Sequence, residues 1–508
     1  MKNNFNIKNW FFAIAILPLL FFGCSKFTDI TPKGASVLDR VEDLEMLLNH
    51  QGTFAFGQGI FPGSVLINDF LASGDLIRVI IDHEAGFQTA ESILFLWDET
   101  ADRNRVLNLG TTKFDAFYRV IGTVANPILR NIATATGSRE RANQIKAEAL
   151  VLRAYMHYLA VNIYARAYNP ATAATDGGVP YMLEGDYHDL TANPPKRTVR
   201  EVYNFILADL DAALALNALP LNPIPMRVGK AFAHAVRAKA LMATRQFDSA
   251  YVAATRSLEV NDFLLDHRVG RFRRPEFNRE DLFFIRWGGT PSLRFTPEFL
   301  ASFAPNDAFF RQGDLATNLP HPLNLSIRAD VASGVVGAVG WMHLPGQFPG
   351  GVGSPMESHT PNTIGLSTVD MFLIQAEVQI RRGNTAQAMA ILEMLRERRT
   401  MEGQHDPLPS NPIQALQLVS RHEGMASHRN FINIKRWNTE PEWAQTLTRT
   451  IELAISGFTP ADIMAQTPPM PIQPTRTINL TLRPDSPLWI FPFPQSASNF
   501  NPNLTNNF

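Results

Sequence analysis

The sequence predicts a mostly α-helical protein, in which tetratricopeptide-like helix pairs form a scaffold and a loop-rich, irregular part interrupts it. One long helix and two helix–turn–helix units with equally spaced alanines predict the scaffold. Residues 262–361 predict the irregular part, because proline, glycine and phenylalanine are frequent there and helical periodicity is weak.

The long helix is predicted from about Ser138, a suitable N-cap residue, to about Arg166. Its apolar residues recur at intervals of 4, 3, 4, 3 and 4 and so share one face. These residues are Ile145, Ala149, Leu152, Met156, Leu159 and Ile163. Further apolar residues widen that face, so we expect an internal helix with neighbours on two sides.

Two helix–turn–helix units carry alanines 12 positions apart, Ala238 with Ala250 and Ala376 with Ala388. Small residues at this spacing let two antiparallel helices approach closely, as in tetratricopeptide repeats. Any tight helical hairpin needs small residues there, so the spacing favours this repeat type without establishing it. Amphipathic helices are also predicted between Leu38 and Leu48 and from Thr198 to about Leu216.

The segments outside these helices complete the expected organisation of the chain. Long irregular segments inside a compact fold are usually functional loops or disordered insertions, so we expect residues 262–361 to carry a ligand-binding surface. The flanking residues 36–260 and 365–460 are the predicted scaffold. From about Pro468 to Phe508 the repeated prolines favour an extended segment packed over that scaffold.

The N-terminus has the layout of a lipoprotein signal peptide. Two lysines precede the apolar run Trp10–Phe22, and Gly23 and Cys24, the chain's single cysteine, follow it. The run is shorter than the roughly 20 residues that span a bilayer. We therefore expect residues 1–23 to be removed, Cys24 to be lipidated, residues 24–35 to form a tether and residues 36–508 to form one body. The bulky residues before Gly23 leave an ordinary secretory signal as the alternative.

Composition and spacing argue against several function classes. The net charge of −1 gives no basic excess for nucleic acid, so no nucleic-acid partner is expected. Cys24 is the single cysteine, which argues against disulfides and cysteine catalysis. His422 and His428 are six residues apart rather than the four of a helical zinc motif, and we expect neither a metal nor a cofactor.

Capture of a neutral sugar requires flat apolar faces and a few planar polar groups, and no catalytic carboxylates. Trp97, Trp287 and Trp341 lie in passages predicted to be non-helical and are the aromatic candidates for ligand binding. Large aromatic residues are mostly buried, so each is weighed against a role in the core. The polar candidates Asp75, Arg78 and Asp82 lie in an early stretch predicted to be irregular. Phenylalanine outnumbers tryptophan and tyrosine, which leaves a peptide ligand open.

Several ordered motifs resemble those of the RagB/SusD family of outer-membrane nutrient-binding lipoproteins of Bacteroidetes. They are Ala147–Tyr155, Gly178-Val179-Pro180, Arg197–Tyr203, Val369–Glu377, and the ending Phe491–Ser496 with Asn501–Leu504 and Asn506-Asn507. His428–Trp437 is similar to a further family motif but departs from it at Asn433, where aspartate is usual. We expect that motif to be structural, with its guanidinium groups tying helix ends to loops.

The resemblance implies a helical body with four tetratricopeptide-like pairs, a loop-rich ligand-binding part and no enzymatic activity. It also implies a lipid anchor in the outer membrane, a position at the cell surface, and a TonB-dependent, SusC-like β-barrel transporter as partner. The implied ligand is an oligosaccharide, or in some branches a peptide. The rival hypotheses are a lipid-anchored glycan hydrolase, which needs two carboxylates about 5–10 Å apart, and a scaffold that binds no small ligand.

Overall fold

The computed structural model describes residues 38–49, 63, 66–67, 70–71, 76–107, 113–186, 193–224, 226–266, 279–283, 294–295, 302, 362, 364–400, 407–424, 427–453 and 476–508. Within them the α-helices are α1 (Val41–Asn49), α2 (Leu76–Glu84), α3 (Ala90–Leu96), α4 (Arg103–Val106), α5 (Lys113–Val120), α6 (Asn126–Asn131), α7 (Arg139–Tyr164), α8 (Val199–Ala215), α9 (Lys230–Ala243), α10 (Phe247–Val260), α11 (Thr368–Arg381), α12 (Thr385–Glu397), α13 (Pro412–Glu423), α14 (His428–Trp437) and α15 (Gln495–Phe500). A π-helical turn, Ile121–Ala125, joins α5 to α6, and Pro487–Trp489 is a 3₁₀ turn. The predicted mostly helical fold is confirmed.

Strands are short in the described part of the chain and form antiparallel ribbons. The strands are β1 (Phe70–Leu71), β2 (Asp281–Phe283), β3 (Arg294–Phe295), β4 (Leu366–Ser367), β5 (Leu447–Leu453) and β6 (Arg476–Leu482). β1 pairs with β3, β2 with β4, and β5 with β6. The β5–β6 pair is in continuous register from Leu447 opposite Leu482 to Leu453 opposite Arg476.

Helix α7 is the predicted long helix, and its 26 residues begin after the N-cap Ser138, whose hydroxyl accepts a hydrogen bond from the Arg141 amide. Its second half is buried on all sides, which confirms the expectation of an internal helix. α8 packs along it, and α1, α5, α6 and α9 also contact it. Because these neighbours surround α7, they bury its polar side chains together with its apolar face.

The two alanine-spaced units are antiparallel helix pairs, α9–α10 and α11–α12. Ala238, Ala250, Ala376 and Ala388 are fully buried where the helices meet, which confirms their predicted role. Both turns use a left-handed backbone, at Arg245 with φ 61° in one pair and at Gly383 with φ 80° in the other. α10 also packs against α11, so the two pairs are neighbours in space although residues 261–367 separate them along the chain.

The motif at residues 428–437 forms α14 and places charged groups against α11. Arg429 donates to Asp370 (2.9 Å) and Ser367 (3.0 Å) at the N-terminal end of α11, as expected for a guanidinium that ties a helix end. Arg436 differs from that expectation, because it forms a two-pronged ion pair with Glu377 within α11, at 2.7 and 2.5 Å. The amide of Asn433 donates to the Ser420 hydroxyl at 3.1 Å.

The C-terminal end of α7 is buried, and its last carbonyl groups, which lack partners within a helix, find donors elsewhere. Lys435 of α14 donates to the carbonyls of Asn162 and Ala165, both at 2.7 Å. The Phe491 amide donates to Ile163 (3.1 Å), and the Asn507 side chain donates to Tyr164 (2.7 Å). These bonds join α7 to the family-like motif of α14 and to the chain's C-terminal segment.

The C-terminal segment is only partly extended as predicted: β6 is a strand, but two helical segments follow it. The 3₁₀ turn begins at Pro487, and α15 follows Pro494. Proline is tolerated at the first position of a helical turn because that position needs no amide donor, and residues 495–500 contain no proline. No helix of the described residues is long and apolar enough to cross a membrane.

We expect Ala388→Leu to destabilise the protein by about 1–3 kcal/mol, because the larger side chain overpacks the fully buried contact between α11 and α12. Ala390→Leu is the matched control, since Ala390 is exposed on the same helix. Thermal unfolding checks this. Equal midpoints for the two variants would show that Ala388 does not set the distance between the helices.

His157 on α7 predicts a loss of stability at mildly acidic pH. Burial lowers the pKa of His157 from 6.5 to about 3, outweighing its hydrogen bond to the Arg153 carbonyl. Its other ring nitrogen accepts a hydrogen bond from the Met182 amide at 3.0 Å, which requires the neutral ring. The unfolded chain therefore binds a proton below pH 6.5 that the folded chain does not bind until about pH 3, so stability falls as the pH falls through this window.

We therefore expect His157→Gln to be less stable than the wild type at pH 7, and this difference to shrink by about 2 kcal/mol at pH 5. Denaturant unfolding of both proteins at pH 7 and at pH 5 measures this difference in stability. Between pH 7 and 8 the difference should stay constant, because His157 is neutral in both states. A difference that is also constant between pH 7 and 5 would refute the assignment.

Candidate functional site

The structure describes some of the sequence-predicted site residues. Trp287, Trp341 and Asp75 lie outside the described residues, as does Cys24. Arg78 and Asp82 lie on α2, so the expectation of an irregular stretch was wrong there. The apolar positions 76, 79 and 80 recur at helical spacing, which accounts for the helix. Asp82 is half-buried.

Trp97 ends α3 as its C-cap, in a left-handed backbone conformation with φ 52°. Its indole N–H donates to the Leu66 carbonyl at 2.8 Å, and the residue is only 6% exposed. A tryptophan in this conformation is unusual, because glycine or asparagine normally occupies it. The ring offers little free surface for stacking against a sugar, and in this structure it anchors the segment at Leu66 to the end of α3.

Arg449 on β5 holds Trp97 from another direction. Its guanidinium lies 4.5 Å from the ring centroids of both Phe95 and Trp97, and it donates to the Phe95 carbonyl. The residue is 2% exposed, so these cation–π contacts are desolvated and correspondingly strong. Arg476 of β6 pairs with Glu84 of α2 at 2.6 Å. The β5–β6 hairpin is therefore fixed against α2 and α3.

Ser92, His83 and Asp98 form a chain of contacts that resembles a serine-hydrolase triad. The His83 ring nitrogens lie 2.8 Å from the Ser92 hydroxyl and 3.1 Å from the Asp98 carboxylate. The Ser92 hydroxyl, however, is the capping-box partner of Thr89 at the start of α3, and Ser92 is 1% exposed. A nucleophile must reach substrate, so this arrangement acts in the structure as a helix cap.

Asp98 is held by several donors. Burial acts to raise the pKa of Asp98, but hydrogen bonds from the Thr100 hydroxyl (2.6 Å) and amide (2.8 Å), together with His83, outweigh it and lower that pKa. The carboxylate is therefore charged at neutral pH, next to Trp97. Among the described residues, no group of three or more histidine, cysteine, aspartate or glutamate side chains could hold a metal ion.

Backbone pairing links this region to the loop-rich part of the chain. β1, four residues before Asp75, pairs with β3, where Phe70 stands opposite Phe295 and Leu71 opposite Arg294. β3 begins seven residues after Trp287 in the sequence. The pairing therefore joins β1, which follows Leu66 by four residues in the sequence, to β3 in the loop-rich part. We call α2, α3, Trp97, Asp98 and the β1–β3 pair the Trp97 region.

One exposed aromatic residue of the Trp97 region was not among the sequence candidates. Phe87 is 73% exposed in the turn between α2 and α3, after Gly86, which has φ 91°. The neighbouring Ile81 is 55% exposed. The sequence signal for Phe87 is an aromatic residue directly after a glycine that can form a turn. It was missed because only tryptophans were considered as aromatic candidates.

Solved structures share this fold. They include a SusD-like carbohydrate binding protein from Bacteroides vulgatus (TM-score 0.62, 16% identity, 92% of this chain and 98% of that chain). A SusD superfamily protein from Bacteroides thetaiotaomicron matches with TM-score 0.63 at 18% identity, over 92% of this chain and all of that one (100%). One from Bacteroides fragilis matches with TM-score 0.60 at 16% identity, over 93% and 100%. No curated relative matches the sequence.

The sequence model of the SusD-like family, described as starch-binding associating with outer membrane, matches residues 79–241. By this match over residues 79–241 and by its fold, the chain resembles the SusD-like family. The matched segment of this SusD-like protein includes most of α2, the Trp97 anchor and the whole of α7. The resemblance stated from the motifs is confirmed, and so is the fold that it implied.

We expect Trp97→Phe to destabilise the protein by about 1–3 kcal/mol, because it removes the indole N–H that donates to the buried carbonyl of Leu66. Hydrogen exchange at residues 66–71 should also become faster. Trp489→Phe is the matched control, since it loses an equivalent indole bond to the Arg483 carbonyl at 3.0 Å. If both variants change exchange at residues 66–71 equally, Trp97 is not the anchor of that segment.

Proposed function

We propose that this SusD-like protein captures a nutrient oligosaccharide at the outer surface of the cell, without cleaving it, and delivers it to a TonB-dependent, SusC-like transporter. The observation that carries the proposal is the match of residues 79–241 to a family described as starch-binding associating with outer membrane. Structural neighbours described as carbohydrate binding support it through the shared fold.

The proposed attachment is a lipid on Cys24. Each buried CH₂ of an acyl chain adds about 0.8 kcal/mol of membrane affinity, so two or three chains anchor a protein stably. Residues 24–35 would act as the tether. A single body for residues 36–508 is supported by one hydrophobic cluster that includes residues from Val41 to Leu504.

We infer that the ligand binds beside the Trp97 region. Phe87 supplies an exposed aromatic face, and the paired strands β1 and β3 lie close in sequence to Asp75 and Trp287 respectively. Trp341, Arg78 and Asp82 are the further proposed contacts, while Trp97 would contribute mainly through its anchoring of the segment at Leu66. Aromatic faces with a few planar polar groups suit a neutral sugar ring.

We expect the protein, purified as the full chain in detergent, to bind neutral glycans on an array and to release no products from them. Phe87→Ala should weaken binding by about two- to tenfold, because one aromatic stacking contact contributes about 0.5–1.5 kcal/mol. Trp287→Ala and Trp341→Ala should weaken it similarly. Phe500→Ala is the control, since Phe500 is at least as accessible (86% exposed) but lies on α15, outside the Trp97 region.

The outcomes separate the rival functions. Binding of peptides instead of glycans would replace the proposed ligand by a peptide, and release of shortened glycans would refute a non-catalytic role. Binding of neither would favour a scaffold.

Delivery is tested in cells, where the protein should be accessible to external protease and should co-purify with a β-barrel transporter. The Cys24→Ser variant should lose its membrane attachment.

A further inference from the structure

A groove of about 460 Å³ lies on the helical scaffold between α8, α9 and α10. Its polar lining includes Asp211, Lys230, His234, Arg237, Arg256 and Glu259. None of these residues belongs to the Trp97 region or to the other proposed glycan contacts. The groove is therefore a second concave surface, with its own chemistry.

His234 is the most unusual group in the groove. It is only 7% exposed, yet its imidazole makes no hydrogen bond to any residue that the structure describes. Burial, together with the charges of Arg256, Lys230 and Arg237, lowers the pKa of His234 from 6.5 to about 4. Because His234 lines the groove and uses no partner from the described residues, its ring nitrogens are available to a ligand in the groove.

The charges around His234 favour a negative ligand. On α9, Lys230, His234 and Arg237 follow one another at helical spacing, so they share one face. Asp211 of α8 accepts a hydrogen bond from Arg237 at 2.7 Å. Arg256 of α10 is exposed and has no hydrogen bond or ion pair with a described residue. Three cations thus face two acids, Asp211 and Glu259, which leaves a net positive charge beside a neutral imidazole.

We propose that this groove is a binding site for a small oxyanion, the carboxylate, sulfate or phosphate group of a ligand. Guanidinium groups donate two parallel hydrogen bonds to such groups, and Arg256 is available to do so. His234 would donate a further bond in its protonated form, which the bound negative charge stabilises. The proposal goes beyond glycan capture and does not depend on it.

The test uses the full chain in detergent at low ionic strength and pH 5.5, with isothermal titration of sulfate, inorganic phosphate and D-glucuronate. D-Glucose is the neutral probe and should not bind in the groove. Binding of glucuronate would indicate an acidic sugar as the source of the oxyanion, whereas binding of sulfate or phosphate alone would indicate a tetrahedral anion. Titrations in buffers of different ionisation enthalpy should show proton uptake on binding, and this uptake should disappear in His234→Gln.

Two substitutions with opposite expected effects on anion affinity make the test specific. Arg256→Gln should weaken binding about tenfold or more, whereas Asp211→Asn should strengthen it, because it removes an acid that competes for Arg237. Arg105→Gln, which removes an exposed arginine on α4, should leave the affinity unchanged. No binding of any of the three anions, weaker binding by Asp211→Asn, or equal affinities for Arg256→Gln and Arg105→Gln would overturn the proposal. Neutral-glycan binding, measured separately, would be unaffected by that failure.

Discussion

The buried C-terminal end of α7 is the constraint on which the rest of the fold depends. A helix end that water cannot reach needs donors from elsewhere in the chain. They come from Lys435, from the Phe491 amide and from Asn507, so three distant parts of the sequence must meet at one point. Lys435 also brings a positive charge to the negative end of the helix dipole, although burial lowers the pKa of its amine to about 7. The asparagine-rich ending is therefore part of the core architecture.

The buried polar side chains along α7 also need partners from other parts of the chain. Glu148 binds Arg227 through two bonds of 2.8 Å, Arg153 binds Asp209 of α8 through two bonds of 2.7 Å, and Asn162 donates to Tyr203 of α8 at 3.0 Å. Each pair is directional, so together the pairs fix the register between α7 and its neighbours where apolar contact alone would allow sliding. Because α7 is held rigidly in this way, the Trp97 region and the α8–α10 groove have fixed positions.

Periodicity predicted the helices well where a single face had to be buried. The bounds of α7 and α8 agree with the sequence prediction, and both alanine-spaced units are helix pairs as predicted, because apolar spacing and caps are local signals. The short helices α2 and α15 were missed, since nine and six residues carry little periodic signal and the prolines near α15 suggested extended chain. Within the candidate site, Arg78 and Asp82 were expected in an irregular stretch but lie on α2, and Phe87 was not predicted at all.

The sequence by itself determined the helical class, the alanine contacts within each pair and the family resemblance, because all three are carried by residue types at short, fixed spacings. Only the tertiary structure decided that Trp97 is an anchor with its indole bonded to Leu66, that Ser92 caps a helix beside His83, and that His234 faces a groove without a partner. The physical reason is that burial and hydrogen-bond partners come from residues far apart in the chain, which no local pattern specifies.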